Sequence, residues 1–157
     1  MNLHRRNTKR IFVGEVPVGD GAPVSIQSMT NTPTKDVGLT LSQIRSLEQA
    51  GCDIVRVSIP DEESLAAFKE VKAEIQIPLI ADIHFDYKMA LGAIDSGADG
   101  IRINPGNIGS ARKVELVAKA AMQAGISIRV GVNLGSIKKR LLDTFGEDRV
   151  GALVENA

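Results

Sequence analysis

Three phrases in this chain echo one another: Ala50-Gly-Cys-Asp-Ile-Val-Arg56, Ser96-Gly-Ala-Asp-Gly-Ile-Arg102 and Ala124-Gly-Ile-Ser-Ile-Arg129. Each joins the end of an amphipathic stretch, a glycine suited to the left-handed backbone that closes a helix, and an aliphatic run. A chain that repeats helix, stop and strand must pair its strands in parallel through right-handed crossovers. That leaves an open doubly wound sheet or a (βα)8 barrel.

Five such strands are expected: Val24 to Met29, Ile54 to Ser58, Leu79 to His84, Gly100 to Asn104 and Ser127 to Val132. Between them, apolar residues recur at helical spacing: Leu41, Ile44, Leu47; Leu65, Phe68, Val71, Ile75; Leu91, Ile94; and Val114, Val117, Ala121. Gly51, Gly97 and Gly125 are the expected stops, and Asp61, Asp86 and Ser110 the expected N-caps. Ahead of the repeat, Ile11-Phe-Val-Gly-Glu-Val-Pro-Val18 reads as a β-hairpin that plugs one end of the structure. No strand is followed by Gly-x-Gly-x-x-Gly and no Gly-Lys-Ser/Thr loop occurs, which removes the usual nucleotide turns of an open sheet. A complete barrel takes about 250 residues. The expected fold class is therefore α/β: a partial TIM-like (β/α) barrel of about five βα units, preceded by the hairpin. Residues 1–10 form a basic N-terminal arm and residues 11–157 a truncated front part of the barrel, whose last stretch from Val150 begins one more helix.

Composition narrows the function. Lys+Arg 19 balance Asp+Glu 19, so no whole-protein field gathers nucleic acid or an anionic membrane, and any anion preference must come from cations placed locally. Aromatics at 3% with no Trp leave little with which to stack bases. A single cysteine makes no internal disulfide and no metal cage alone, and it fits a reducing cytosol. With no apolar run near the roughly 18 residues that span a bilayer, a cytoplasmic location is expected.

Strand alternation gives the sharpest functional reading, because residues two apart share a face. Ile54, Arg56 and Ser58 oppose Val55 and Val57; Ile80, Asp82 and His84 oppose Ala81 and Ile83. Arg102 and Asn104 oppose Ile101 and Ile103, while Arg129, Gly131 and Asn133 oppose Ile128, Val130 and Val132. The aliphatic side suits covering helices; the other gathers polar groups near the carboxyl ends, where parallel α/β folds build their sites. Three guanidiniums around Asp82 leave surplus positive charge, which a bound phosphate or diphosphate would satisfy. Carboxylates from strands outside this sequence, or water at the rim, are the bland alternative.

Asp82-Ile-His84 sets a carboxylate beside an imidazole, fitted to contact substrate hydroxyls or to handle a proton, and also to form a structural ion pair. As a metal pair it lacks further ligands, since the other histidine, His4, lies in the basic start, and no metal ligand set is expected. Asn104-Pro-Gly-Asn-Ile-Gly109 reads either as a plain turn or as a loop whose N–H groups hold an oxyanion. Gln27-Ser-Met-Thr-Asn31 reads equally as a capped loop or as part of the polar site. Cys52, at the start of its strand, reads as core filler, and Lys138-Lys-Arg140 as a solvated helical face.

The phrases Val24-Ser-Ile-Gln-Ser-Met-Thr-Asn31, Asp53-Ile-Val-Arg-Val57, Pro78-Leu-Ile-Ala-Asp-Ile-His-Phe-Asp86, Arg102-Ile-Asn-Pro-Gly-Asn-Ile-Gly109 and Arg129-Val-Gly-Val-Asn133 occur in this order. Together they closely resemble the N-terminal half of the 4-hydroxy-3-methylbut-2-enyl diphosphate synthase family. The resemblance implies an iron-sulfur oxidoreductase of the non-mevalonate route to isoprenoids, which reductively opens 2-C-methyl-D-erythritol 2,4-cyclodiphosphate. It implies electrons from ferredoxin or flavodoxin through a 4Fe-4S cluster, and a TIM-like barrel that binds the diphosphate. A C-terminal cluster domain would cap the partner's barrel in a homodimer. Carried over by motif, Arg56, Arg102 and Arg129 hold the diphosphate, and Asn104 and Asn133 orient it. Asp82 and His84 contact its diphosphate or hydroxyl groups as the candidate catalytic pair. The cluster ligands, the later strands and the acidic proton donor have no counterpart in this sequence, so binding without turnover is expected. Two other readings compete: a pterin-binding barrel of the dihydropteroate synthase type, and a non-catalytic remnant with unpaired edge strands.

Overall fold

The structure, a computed structural model, describes residues 6–157; His4 and the first half of the basic arm lie outside the described residues. Strands β1 (Ile11–Val13) and β2 (Val16–Val18) form an antiparallel hairpin. The repeat follows as β3 (Gln27–Met29), α1 (Val37–Gln49), β4 (Ile54–Ser58), α2 (Glu62–Glu74), β5 (Leu79–Ile83), α3 (Tyr87–Asp95) and β6 (Gly100–Ile103). A single helical turn, α4 (Pro105–Ile108), then α5 (Ala111–Ala124) and β7 (Ser127–Val130) complete it. A 3-10 turn at Leu134–Ser136, α6 (Lys139–Phe145) and α7 (Arg149–Asn156) end the chain. The five parallel strands lie in the order β3-β4-β5-β6-β7. A doubly wound sheet reverses its order at a switch point. Here the order never reverses, as the expected partial barrel requires.

The outward strand face carries the core. Val55, Val57, Leu79, Ala81, Ile83, Ile101 and Ile103 pack under Ile44, Phe68, Val71, Ala90, Ile94, Val117 and Ala121 from α1, α2, α3 and α5. Cys52 is buried in that cluster, its Sγ donating to the carbonyls of Ile54 and Ile26. The inward face is apolar only at the strand starts, where Ile54 and Ile80 meet Val13, Val16 and Val18 of the hairpin. The hairpin does plug that end. Its turn needs Gly14, with φ of +55° and only 2.8 Å between an added Cβ and the Cγ of Pro78.

The echoing phrases have a structural cause. Gly51, Gly97 and Gly125 take left-handed backbone after α1, α3 and α5. Two residues beyond the first two stops, an aspartate clamps the start of the neighbouring strand. Asp53 donates its N–H to the Ile26 carbonyl and accepts the Ile26 N–H on Oδ2 at 2.7 Å. Asp99 does the same to Leu79, again at 2.7 Å, and holds Lys72 of α2 in an ion pair. Ser127 occupies the equivalent place in the third phrase.

Several expected boundaries move. β3 is shorter than Val24 to Met29: Val24 and Ile26 are exposed because no strand lies outside them and no helix covers them. β5 stops before His84, and β6 stops before Asn104, which turns to cap α4. β7 ends at Val130; the Gly131 N–H makes one more ladder bond to Ile103, and the chain then turns. Asp61 and Asp86 cap their helices through Ser64 N and Lys88 N. Ser110 stands at the N-cap of α5 but its hydroxyl makes no capping bond, whereas Asp36 caps α1 through Leu39 N. Lys138, Lys139 and Arg140 are exposed, as a solvated face should be.

If the aspartate clamp sets the strand stagger, Asp99→Ala should lower stability by about 1.5–3 kcal/mol, the cost of losing a charged acceptor from a partly buried N–H. Urea denaturation checks this, with Asp95→Ala, on an exposed helix end, as the neutral control.

Candidate functional site

Register places the polar residues in rows across the concave face. Ser58, Asp82, Arg102 and Arg129 are successive Cα partners from β4 to β7, and Met29 pairs with Arg56 between β3 and β4. Arg102 and Arg129 are thus side-by-side cations on adjacent strands, an arrangement that disfavours the empty protein. It is relieved by Asp82, whose side chain is only 4% exposed. Arg102 donates from Nη1 to Asp82 Oδ1 at 3.1 Å, and Arg56 brings Nε to 3.4 Å from Oδ2. One carboxylate therefore faces two guanidiniums.

The relief is incomplete. Arg56 Nε is buried without a hydrogen-bond partner, and Arg56 Nη2 has only the Met29 thioether, at 3.3 Å. Burial pulls the Arg56 pKa below the ordinary arginine value; Asp82 opposes this, while the fields of Arg129 and Arg102 add to it. The charges of Arg129 and Arg102 thus both reach Arg56. Arg129 reaches from β7 across the concave face to β3, where Nη1 donates to Gln27 Oε1 at 3.0 Å. Gly131 leaves room for Arg102: an added Cβ would sit 2.6 Å from its Nε and Nη2.

His84 lies just past β5, its side chain 42% exposed, with Nε2 3.7 Å from Asp82 Oδ1. The exposed ring of Phe85 stands edge-on to it. Asp82 is thus committed to the two arginines, and His84 is the member of the pair open to an incoming molecule. Asn104 is 1% exposed, and its Oδ1 accepts the Gly106 N–H at 3.1 Å. The N–H groups of Asn107 and Ile108 both donate to the Asn104 carbonyl. The loop after β6 is therefore the plain-turn alternative, with these N–H groups spent on its own capping. Asn133 is exposed at the N-cap of the 3-10 turn, held through its backbone by Ser136 Oγ. It does not join the arginine row, since β7 has already ended.

Gln27 and Met29 are the residues that sequence reasoning left undecided. Strand alternation through Gln27 and Met29 was the available signal, but the polar stretch Gln27 to Asn31 suits a capped loop equally well. Below the arginines the concave face holds a cavity of about 430 Å³, lined by Val13, Val18, Ile54 and Ile80, with Ser25, Gln27, Ser127 and Arg129 among its polar members.

The residues present do not fit an iron-sulfur cluster. Cys52 is the single cysteine of the sequence and is buried in the helix-covered core. Among the described residues no group of three His, Cys, Asp or Glu side chains converges for a metal. No helix among them is long and apolar enough to cross a membrane.

Known proteins place the chain. It is 56% identical over 156 residues to a 4-hydroxy-3-methylbut-2-en-1-yl diphosphate synthase (flavodoxin) of Gluconacetobacter diazotrophicus, covering 99% of this chain and 41% of that protein. The same enzyme of Anoxybacillus flavithermus is 54% identical over 155 residues, covering 99% and 43%. The chain thus spans less than half the length of these curated relatives. Among solved structures, dihydropteroate synthase of Xanthomonas albilineans with 7,8-dihydropteroate superposes with a TM-score of 0.60 at 14% identity, covering 95% of this chain and 60% of that one. The Stenotrophomonas maltophilia enzyme gives 0.59 at 14% identity, covering 96% and 62%. At that identity the likeness speaks for the barrel alone. The sequence match over residues 8–157 is decisive where the superposition is not: this chain belongs to the GcpE TIM-barrel domain family.

Proposed function

We propose that this chain is the diphosphate-binding part of a 4-hydroxy-3-methylbut-2-enyl diphosphate synthase, an oxidoreductase of isoprenoid biosynthesis. Its ligand is 2-C-methyl-D-erythritol 2,4-cyclodiphosphate, which that enzyme opens reductively. The observation that carries the reading is the charge imbalance on the concave face, where Arg56 and Arg102 share Asp82 and Arg129 adds a third cation whose field reaches Arg56. A diphosphate supplies the missing negative charge, and its oxygens suit the planar, forked geometry of guanidinium donors.

In this reading Asp82 is a positioning residue: it fixes two guanidiniums before the ligand arrives, so less ordering is left to be done on binding. His84 donates a hydrogen bond to a bridging oxygen or to a hydroxyl, or delivers a proton there. Asn104 acts through the loop it caps, and Asn133 approaches the ligand from the turn after β7. The relatives' names carry flavodoxin as the reductant. The reductive chemistry rests on a 4Fe-4S cluster that these residues do not supply. On this reading the 157-residue chain binds its ligand without turning it over.

Calorimetric titration of the chain with the cyclodiphosphate should give micromolar binding, weakened by roughly 30-fold or more in Arg102→Ala, because truncation strips Asp82 of a partner as well as the ligand of a donor. A folded chain that does not bind overturns the proposal.

Gly131→Ala tests the same geometry without removing a charge. The added methyl meets the movable end of Arg102 rather than backbone. Affinity should fall by roughly tenfold, the scale of one displaced charge-assisted hydrogen bond, while the melting temperature stays near that of the parent. A large loss of stability with unchanged affinity would sink this account of Gly131.

A further inference from the structure

We propose that Gln27 is a positioning residue for the anion: it seats Arg129 across the concave face and, because it is neutral, leaves the charge of that arginine unspent. The inference rests on the diphosphate reading above and adds a role to a residue outside the arginine-carboxylate cluster.

Gln27 and Arg129 lie on β3 and β7, the two edge strands of the five-stranded sheet, and are 102 positions apart in sequence. Their hydrogen bond at 3.0 Å spans the barrel interior and ties its first parallel strand to its last. Arg129 is otherwise exposed, and among the described residues β7 is an edge strand of the parallel sheet. Without an acceptor on β3 its long side chain would spread over many rotamers, and ordering it would be charged against ligand affinity.

The neutrality of that acceptor matters as much as its position. A glutamate has the same reach and shape as glutamine and would accept the same N–H, in a stronger charge-assisted bond. It would also cancel the positive charge of Arg129. The other inward residue of β3 follows the same logic, since Met29 offers Arg56 a thioether. Both β3 side chains therefore hold arginines without neutralising them, and among the inward strand residues only Asp82 is anionic. The charge of Arg129 also helps lower the Arg56 pKa. The empty protein bears the mutual repulsion that results, and an anion removes it.

This predicts opposite signs for stability and binding. Inorganic pyrophosphate is the probe, titrated calorimetrically at low and at physiological ionic strength into the chain and its Gln27→Glu and Gln27→Leu variants, with melting curves recorded without ligand. Gln27→Glu should melt higher than the parent, yet bind pyrophosphate about tenfold or more weakly and with a shallower salt dependence, as expected for one fewer net cation near the ligand. Gln27→Leu removes the seat but keeps the charge, so it should bind a few-fold weaker with the parent's salt dependence and melt no higher. Equal binding of the parent and Gln27→Glu, an unchanged salt dependence in Gln27→Glu, or a lower melting temperature for it overturns the role of Gln27 while leaving the anion site standing. A parent chain that binds neither pyrophosphate nor the cyclodiphosphate overturns the anion site itself, and this inference with it.

Discussion

Asp82 shares its two oxygens between Arg102, at 3.1 Å, and Arg56, at 3.4 Å, and much of the concave face follows from that sharing. A carboxylate this buried is costly unless its charge is met, and a half-buried guanidinium is costly for the same reason. Each group makes the other tolerable, but one negative charge cannot balance two positive ones. The pair with a surplus is stable enough to fold around and still attractive to an anion. Removing Asp82 would leave guanidiniums repelling across neighbouring strands; adding a second carboxylate would leave nothing for a ligand to satisfy.

The surplus is possible only because the sheet curves. Strands in consecutive order bring the inward rows of β4 to β7 side by side, and the curl is strong enough for β3 and β7 to touch through Gln27 and Arg129. The aspartate clamps at Asp53 and Asp99 set where each neighbouring strand begins, and so fix which residues fall into one row. A slip of one residue would turn Arg56 or Arg102 into the aliphatic layer under the helices. At the opposite end the hairpin covers Ile54 and Ile80, which allows the inward face to be apolar at its base and cationic at its top.

Most of this was legible before any coordinates, because it rests on the period of two. Alternation alone puts Arg56, Asp82, Arg102 and Arg129 on one side and Val55, Ile83, Ile101 and Ile128 on the other, and the register bears out that division. What alternation does not carry is where a strand ends. His84, Asn104 and Asn133 keep their phase in the sequence, but backbone hydrogen bonding stops before each of them, so capping and turns decide their surroundings. The loop after β6 shows the limit well: its N–H groups are free in a sequence and taken by Asn104 in the fold. Gln27 and Met29 went undecided for the opposite reason. The strand itself was expected from Val24 to Met29, but its polar end from Gln27 to Asn31 suits a capped loop as well as a site, and the bonds of Gln27 and Met29 to Arg129 and Arg56 decide it.

The same physics explains why the cations here are arginines. A lysine ammonium is a strongly hydrated point charge that sheds its proton readily when buried beside other cations. Arginine under the same pressure stays charged, because its ordinary pKa lies so far above neutrality; at Arg56 burial pulls it down while Asp82 opposes the pull. Its fork also serves two masters at once. Arg102 gives Nη1 to Asp82 and has donors left to face inward, and Arg129 gives Nη1 to Gln27 and likewise keeps others. A site built this way holds its shape through one side of each guanidinium and offers a ligand the other. The Nε of Arg56 is the residue of that bargain: a donor the fold has desolvated and set 3.4 Å from Asp82 Oδ2 without a hydrogen bond. Such a group destabilises the empty protein, and only a binding partner with spare lone pairs turns that cost into affinity.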